Sequence, residues 1–280
     1  EEKVVTTLNG YRGMGPVRIG NEAYVQIQND CFGSIVLACT QYFFDERLQM
    51  DNIDRNFALF AKLEQLGEAA VKYHNVPDAG IWELREMAFV HTQSAVMCWA
   101  ACDRLAKIAT SKRIKSPEKA KYWAAHAEKI RTLVIEKAFD KELNSFVAAF
   151  GGKEIDACLL VLPEVGFVAY DDPMFLGTLE QVERQLKVGN QIKRYNMKDD
   201  FGVQKNGFNV CTFWYIYALH GVGRIDEAKK LYDEMLACAN HVGLLSEDYD
   251  PIGKEQWGNL PQTYSMTGVI MGALLLSRPW

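Results

Sequence analysis

The sequence predicts an all-α fold built as serial helical hairpins. Three observations carry this. Apolar residues recur at three-to-four spacing over long segments, some segments open with recognisable helix-start residues, and strand signals are few. The first helix is expected from Ala23 to about Phe44, where Tyr24, Ile27, Cys31, Ile35 and Ala38 share one face. Residues 52–74 repeat that period, and a third helix is expected at about 88–110. The fourth, 117–139, opens with "SPEK", an N-cap serine followed by a proline at the first helical position and then a glutamate. Helices follow at 172–188 and 208–221. The seventh, 225–240, opens with "RIDEA", whose Asp226 and Glu227 suit the positive end of the helix dipole. The last is expected at 262–277. "SFVAAF" and "CLLVL" are the only strand-like runs, short and isolated. No Pro-, Gly- or Ser-rich boundary divides the 280 residues, so one domain spanning 1–280 is expected. No fixed period of ~34 or ~40 residues supports a solenoid.

A net charge of −5 gives no broad basic field, which excludes nucleic acid and anionic membranes as main partners and favours a neutral ligand. "TGVIMGALLLS" is the longest apolar run and falls short of the roughly 18 to 20 residues that span a bilayer. The seven cysteines, at 31, 39, 98, 102, 158, 211 and 238, are odd in number and sit among apolar residues. This indicates a reducing compartment, and a cytoplasmic location is expected. Cys98 and Cys102 share a helix face, but no further cysteine or histidine completes a metal ligand set, so they read as small buried hydrophobes.

Long segments at 9–22, 76–86, 189–207 and 242–261 carry glycines, arginines, aromatics and acids, and loops of that length commonly hold function. "GYRGMGPVRIGN", "GIWELRE" and "GLLSEDYD", with "KRYN" as a lesser fourth, combine charge with aromatic rings. Glu83 and Glu247 are the acids of interest. Two separated carboxylates suit glycoside hydrolysis, one donating a proton to the leaving oxygen and the other activating water. Trp82 is expected to exclude water from Glu83 and so favour its protonated form. Ser246, Asp248 and Tyr249 are expected to keep Glu247 charged and oriented. Arg18, Arg85 and Arg194 are candidates for binding sugar hydroxyls, and equally read as salt-bridge residues; Tyr11 and Tyr249 either stack on sugar rings or cover core.

At these residues the chain resembles glycoside hydrolase family 15, the glucoamylase, glucodextranase and bacterial trehalase group. The resembling blocks are "GYRGMGPVRIGNEAYVQIQNDCFG", "GIWELRE" with "HTQSAVMCWAACDRLAKIA", "DACLLVLPEVGF", "DDPMFLGTLEQVERQL", "KRYN", "NVCTFWYIYALHGVGRIDEAKKLY" and "GLLSEDYDPIGKEQWGNLPQTYSMTGVI". They run in the family's order over nearly the whole chain. The resemblance implies an (α/α)6 barrel and an inverting hydrolase releasing α-linked glucose from oligosaccharides, polysaccharides or trehalose, with neither metal nor organic cofactor. It implies Glu83 as general acid, Glu247 as general base, and Arg194 as the arginine bonding the sugar at the cleavage point. Trp82, Tyr11, Arg18 and Tyr249 would line the pocket. About eight helices are expected here where six closed hairpins have twelve, and the family's "WPRD"-type motif and preceding β-sandwich are not found in this sequence. The expectation is therefore the later two-thirds of a barrel, with an open edge that pairs with a second copy or with a complementing N-terminal half. A non-catalytic carbohydrate-binding or regulatory module, and a helical scaffold for protein partners, are the alternative functions.

Overall fold

The computed structural model describes residues 1–48, 52–85, 87–199 and 202–277. Among them are eight α-helices: α1 Asp30–Phe44, α2 Ile53–Tyr73, α3 Thr92–Thr110, α4 Pro117–Ala138, α5 Pro173–Leu186, α6 Asn209–Gly221, α7 Ile225–Ala237 and α8 Thr263–Leu276. Helices buried on nearly all sides alternate with helices buried along one stripe. Every residue of α3 from Thr92 to Cys102 is buried, and so are Asn209 to Phe213 of α6. In contrast α2, α4 and α7 bury only spaced positions such as Phe60, Leu63, Gly67 and Ala70. This alternation of inner and outer helices makes the chain an incomplete (α/α)6 barrel. Inner α3 packs on α1, α2 and α4, and inner α6 packs on α7 and α8. A continuous core runs from Val36 and Phe60 through Leu105, Trp123, Phe146 and Phe175 to Phe213, Met235 and Leu245. Where α1 crosses α3 the backbones nearly touch, and a Cβ on Gly33 would lie 2.1 Å from the Met97 carbonyl oxygen.

The ends of the helix series are apolar but uncovered. α8 buries only Ser265, Gly268 and Gly272, while Ile270 and Leu274 are 60% and 64% exposed. Burying one such side chain is worth about 1.5–3 kcal/mol, so this face is a cost to the chain as it stands.

Three expectations about elements need correction. The first helix does not begin at Ala23. Residues Glu22–Val25 form a 3-10 turn capped by Asn21, and α1 starts at Asp30. The intervening residues bind the 78–84 loop instead of propagating a helix. Ala79 N–H donates to the Ile27 carbonyl at 2.9 Å, Asn29 N–H to Asp78 at 2.7 Å, and Gln28 Nε2 to the Gly80 carbonyl at 2.9 Å. The strand-like "CLLVL" is also helical, lying in the 3-10 helix Ala157–Val161, because Asp156 Oδ1 accepts the Cys158 N–H at 2.8 Å and caps the turn. In "SFVAAF", Ser145–Phe146 does form a strand, paired with Phe139–Asp140. The third helix starts at Thr92, because Phe89 and His91 are occupied by bridges to Asp78 and Ala149.

Ser116 stands at the start of α4, but its hydroxyl makes no capping bond. Cys98 and Cys102 are fully buried, and removal from water pushes the Cys102 thiol up to about 12 and Cys98 higher still, as suits packing residues. No helix among the described residues is long and apolar enough to cross a membrane.

Candidate active site

The loop carrying Glu83 is anchored from below by Asp78. This buried carboxylate accepts the Asn29 N–H at 2.7 Å and the Ser94 hydroxyl at 2.8 Å. Gln26 Nε2 reaches the carbonyls of Glu83 and Leu84 at 3.1 and 3.2 Å, and Leu84 is itself buried. These bonds hold Glu83 at φ 57°, a left-handed conformation that costs a non-glycine residue on the order of 1 kcal/mol or more. The Glu83 carboxylate is exposed, and its Oε2 accepts one long bond, 3.4 Å, from Asn21 Nδ2.

Trp82 does not shield Glu83 from water as expected. Its indole turns toward the core, donating Nε1–H to Asp156 Oδ2 at 2.7 Å. The ring centroid lies 5.5 Å from Phe208, 5.9 Å from Trp214 and 6.2 Å from Tyr195. Arg194 joins this cluster, its guanidinium carbon 5.0 Å from the Phe208 ring centroid and 5.9 Å from that of Trp82. Gln204 Oε1 accepts from Arg194 Nη2 at 3.0 Å, while Arg194 Nε is buried with no hydrogen-bond partner among the described residues.

Glu247 approaches the same cluster from the other end of the chain. Asp248–Asp250 is the middle strand of a three-stranded antiparallel sheet, and Asp248 pairs with Phe208 on one side and Trp257 on the other. Thus the residue after Glu247 and the residue before Glu83 both meet Phe208. Half-buried Glu247 is oriented by Asn259, which gives its backbone N–H and its Nδ2 to Oε2 at 3.2 and 3.1 Å. Room for this exists because Gly258, at φ 77°, has no side chain; a Cβ there would sit 2.7 Å from Oε2. Burial, reinforced by the neighbouring Glu247 charge and opposed by Arg194, pushes the Asp248 carboxyl up to about 7.

The expected setting of Glu247 is only partly right. Ser246 is buried and spends its hydroxyl on the Asp248 carbonyl at 2.6 Å. Tyr249 is buried, on the opposite face of the strand from Asp248, so it packs inward beside Cys238 rather than facing solvent. Arg18 and Arg85 both bind Glu2, at 2.8 and 2.9 Å, and Arg85 also binds Glu22 at 2.9 Å. These arginines hold the N-terminal hairpin, Lys3–Val5 with Val17–Ile19, against the Glu83 loop. Tyr11 is exposed and stands edge-on to Trp257 at 5.5 Å, and Arg12 bridges to Glu255 at 2.5 Å. Residues 11–21 therefore run between the two acid-bearing loops, touching Trp257 at one end and Glu83 through Asn21 at the other.

The structure brings Trp82, Arg194 and the segments bearing Glu83 and Glu247 to one cluster. Asp156 and Asn259 escaped the sequence reading. Both lie inside family-like blocks, but 74 and 12 positions from the residues they hold, so nothing local pointed to those partnerships.

The chain is 38% identical over 271 residues to a trehalase of Thermoplasma volcanium, covering 96% of this chain and 42% of the relative. It is 36% identical over 272 residues to a trehalase of Thermoplasma acidophilum, covering 93% and 44%. The chain thus spans about two-fifths of the length of the curated relatives it matches. A solved glycosidase in complex with glucose superposes with a TM-score of 0.76 at 18% identity, over 94% of this chain and 72% of that one, a likeness of fold. The family model of glycosyl hydrolases family 15 matches residues 3–273, and the chain belongs to that family.

Proposed function

We propose that the protein containing this chain hydrolyses an α-linked glucoside with inversion, with Glu83 as general acid, Glu247 as general base and trehalose as the substrate of first choice. The observation that carries this reading is the meeting of the two acid-bearing segments at Phe208, beside Arg194. Glu83 stands exposed on a hydrogen-bonded turn, where a glycosidic oxygen can reach it. Glu247 has one oxygen held by Asn259, which leaves Oε1 to accept a proton from water. Arg194 has donors to spare beyond Gln204, and its planar fork matches vicinal sugar hydroxyls. Inversion requires room for water between acid and base, a carboxyl separation of roughly 6.5–9.5 Å. The trehalase relatives support the choice of substrate.

The test is proton NMR of early products from trehalose, with the full-length protein. Inversion releases one glucose as the β-anomer alongside one α-anomer. Glu83→Gln and Glu247→Gln should each lower kcat by about 10²- to 10⁴-fold. Two α-anomers, or either variant at full rate, would overturn the assignment, and glucan binding without any sugar release would indicate a binding module instead.

A further inference from the structure

We infer that Asp156 is a positioning residue for the acid-bearing turn, acting through the indole of Trp82. The inference rests on the reading of Glu83 as the acid. Among the described residues the Glu83 side chain has a single hydrogen bond, a long one from Asn21, so its direction is set by the turn it stands on. The residue before it, Trp82, ties the turn to the aromatic cluster in addition to the Asp78 and Gln26 bonds, and among the described residues its indole N–H donates to Asp156.

Asp156 is 4% exposed, and each of its oxygens has a different task. Oδ2 accepts the Trp82 indole N–H at 2.7 Å, and Oδ1 accepts the Cys158 N–H at 2.8 Å. The adjoining backbone bridges to Tyr195, and Ala157 N–H donates to the Arg194 carbonyl at 2.8 Å. One residue thereby ties together the Glu83 turn, the Ala157–Val161 helix and the segment carrying Arg194. A buried carboxylate is expensive in desolvation. Capping alone would not require it, since Asn or Ser caps as well. What requires it is a pair of N–H donors arriving on two different oxygens. An amide has one oxygen and one NH2 group, so Asn at this position would set a donor against a donor on one side.

The test uses the full-length protein with Asp156→Asn, Trp82→Phe and the double variant. In ¹H–¹⁵N spectra the Trp82 indole signal, identified by its loss in Trp82→Phe, should shift upfield in Asp156→Asn, where a neutral amide replaces the carboxylate acceptor. kcat on trehalose should fall by between about 10- and 100-fold in each single variant, with KM little changed, as expected when a catalytic group is misplaced by about an ångström. The double variant should be no worse than the weaker single, because both remove one interaction. Should Asp156→Asn fail to fold, Asp156→Ser retains the cap on Cys158 but cannot reach Trp82, and the same results are expected of it. An unmoved indole signal, additive losses, or a loss confined to KM would overturn the proposal. A wild-type protein that hydrolyses no α-glucoside while the indole signal still moves would overturn the reading of Glu83 and leave the Asp156–Trp82 clamp standing.

Discussion

Asn259 holds Glu247 by two donors on one oxygen: its backbone N–H and its Nδ2 both point at Oε2, at 3.2 and 3.1 Å. Removing the side-chain donor leaves the backbone one. Hydrogen bonds to charged groups contribute about 1.5–3 kcal/mol, so Asn259→Ala should lower kcat by about 10- to 100-fold. Because Asn259 is exposed, the thermal midpoint should move little. Steady-state kinetics beside a melting curve would check this, and a large loss of stability at full kcat would contradict it.

Asp248 makes stability depend on pH. Its carboxyl is pushed from 3.8 to about 7, so between those values the native state holds a proton that the unfolded chain has released. Stability contributed by this group is present at about pH 4 and is lost as pH rises through about 7. Urea midpoints measured across that window should therefore decline less steeply in Asp248→Asn than in wild type. Identical pH slopes in the two proteins would refute the assignment.

Arg194 is stacked among Phe208, Tyr195 and Trp82. Lysine keeps the charge but not the planar fork or the face-on packing. Arg194→Lys should reduce kcat/KM by about 10- to 100-fold, a loss of about 1.4–2.7 kcal/mol. An unchanged kcat/KM would exclude Arg194 from the sugar site.

Gly33 is where α1 and α3 come closest. Its Cβ would collide with the Met97 backbone, which cannot swing aside as a side chain would. Gly33→Ala should destabilise the fold by about 1–3 kcal/mol, read from urea denaturation. No change in midpoint would mean that the two helices part without cost.

The helices were legible because each must bury a stripe, and a stripe of period 3.6 is written directly into the order of residues. That is why α2 and α4 to α8 stand close to where spacing and start signals put them, and why the buried character of Cys98 and Cys102 could be read without coordinates. The start of α1 was not legible. Residues 26–29 have helical spacing, but their backbone and amide groups are claimed by a loop some 50 positions later, a competition that no local pattern records.

The site divides in the same way. The candidate acids could be named from "IWE" and "LLSE" through a family resemblance, whereas their surroundings could not. The strand pleat turns Tyr249 into the core, Glu2 claims Arg18 and Arg85, and Trp82 faces Asp156 instead of covering Glu83. By itself the sequence determined which segments are helical and which acids are candidates, since periodicity and motif are local properties. Only the tertiary structure decided which partner each polar side chain keeps, because that choice is made by groups far apart in the chain competing for the same donors and acceptors once water is excluded.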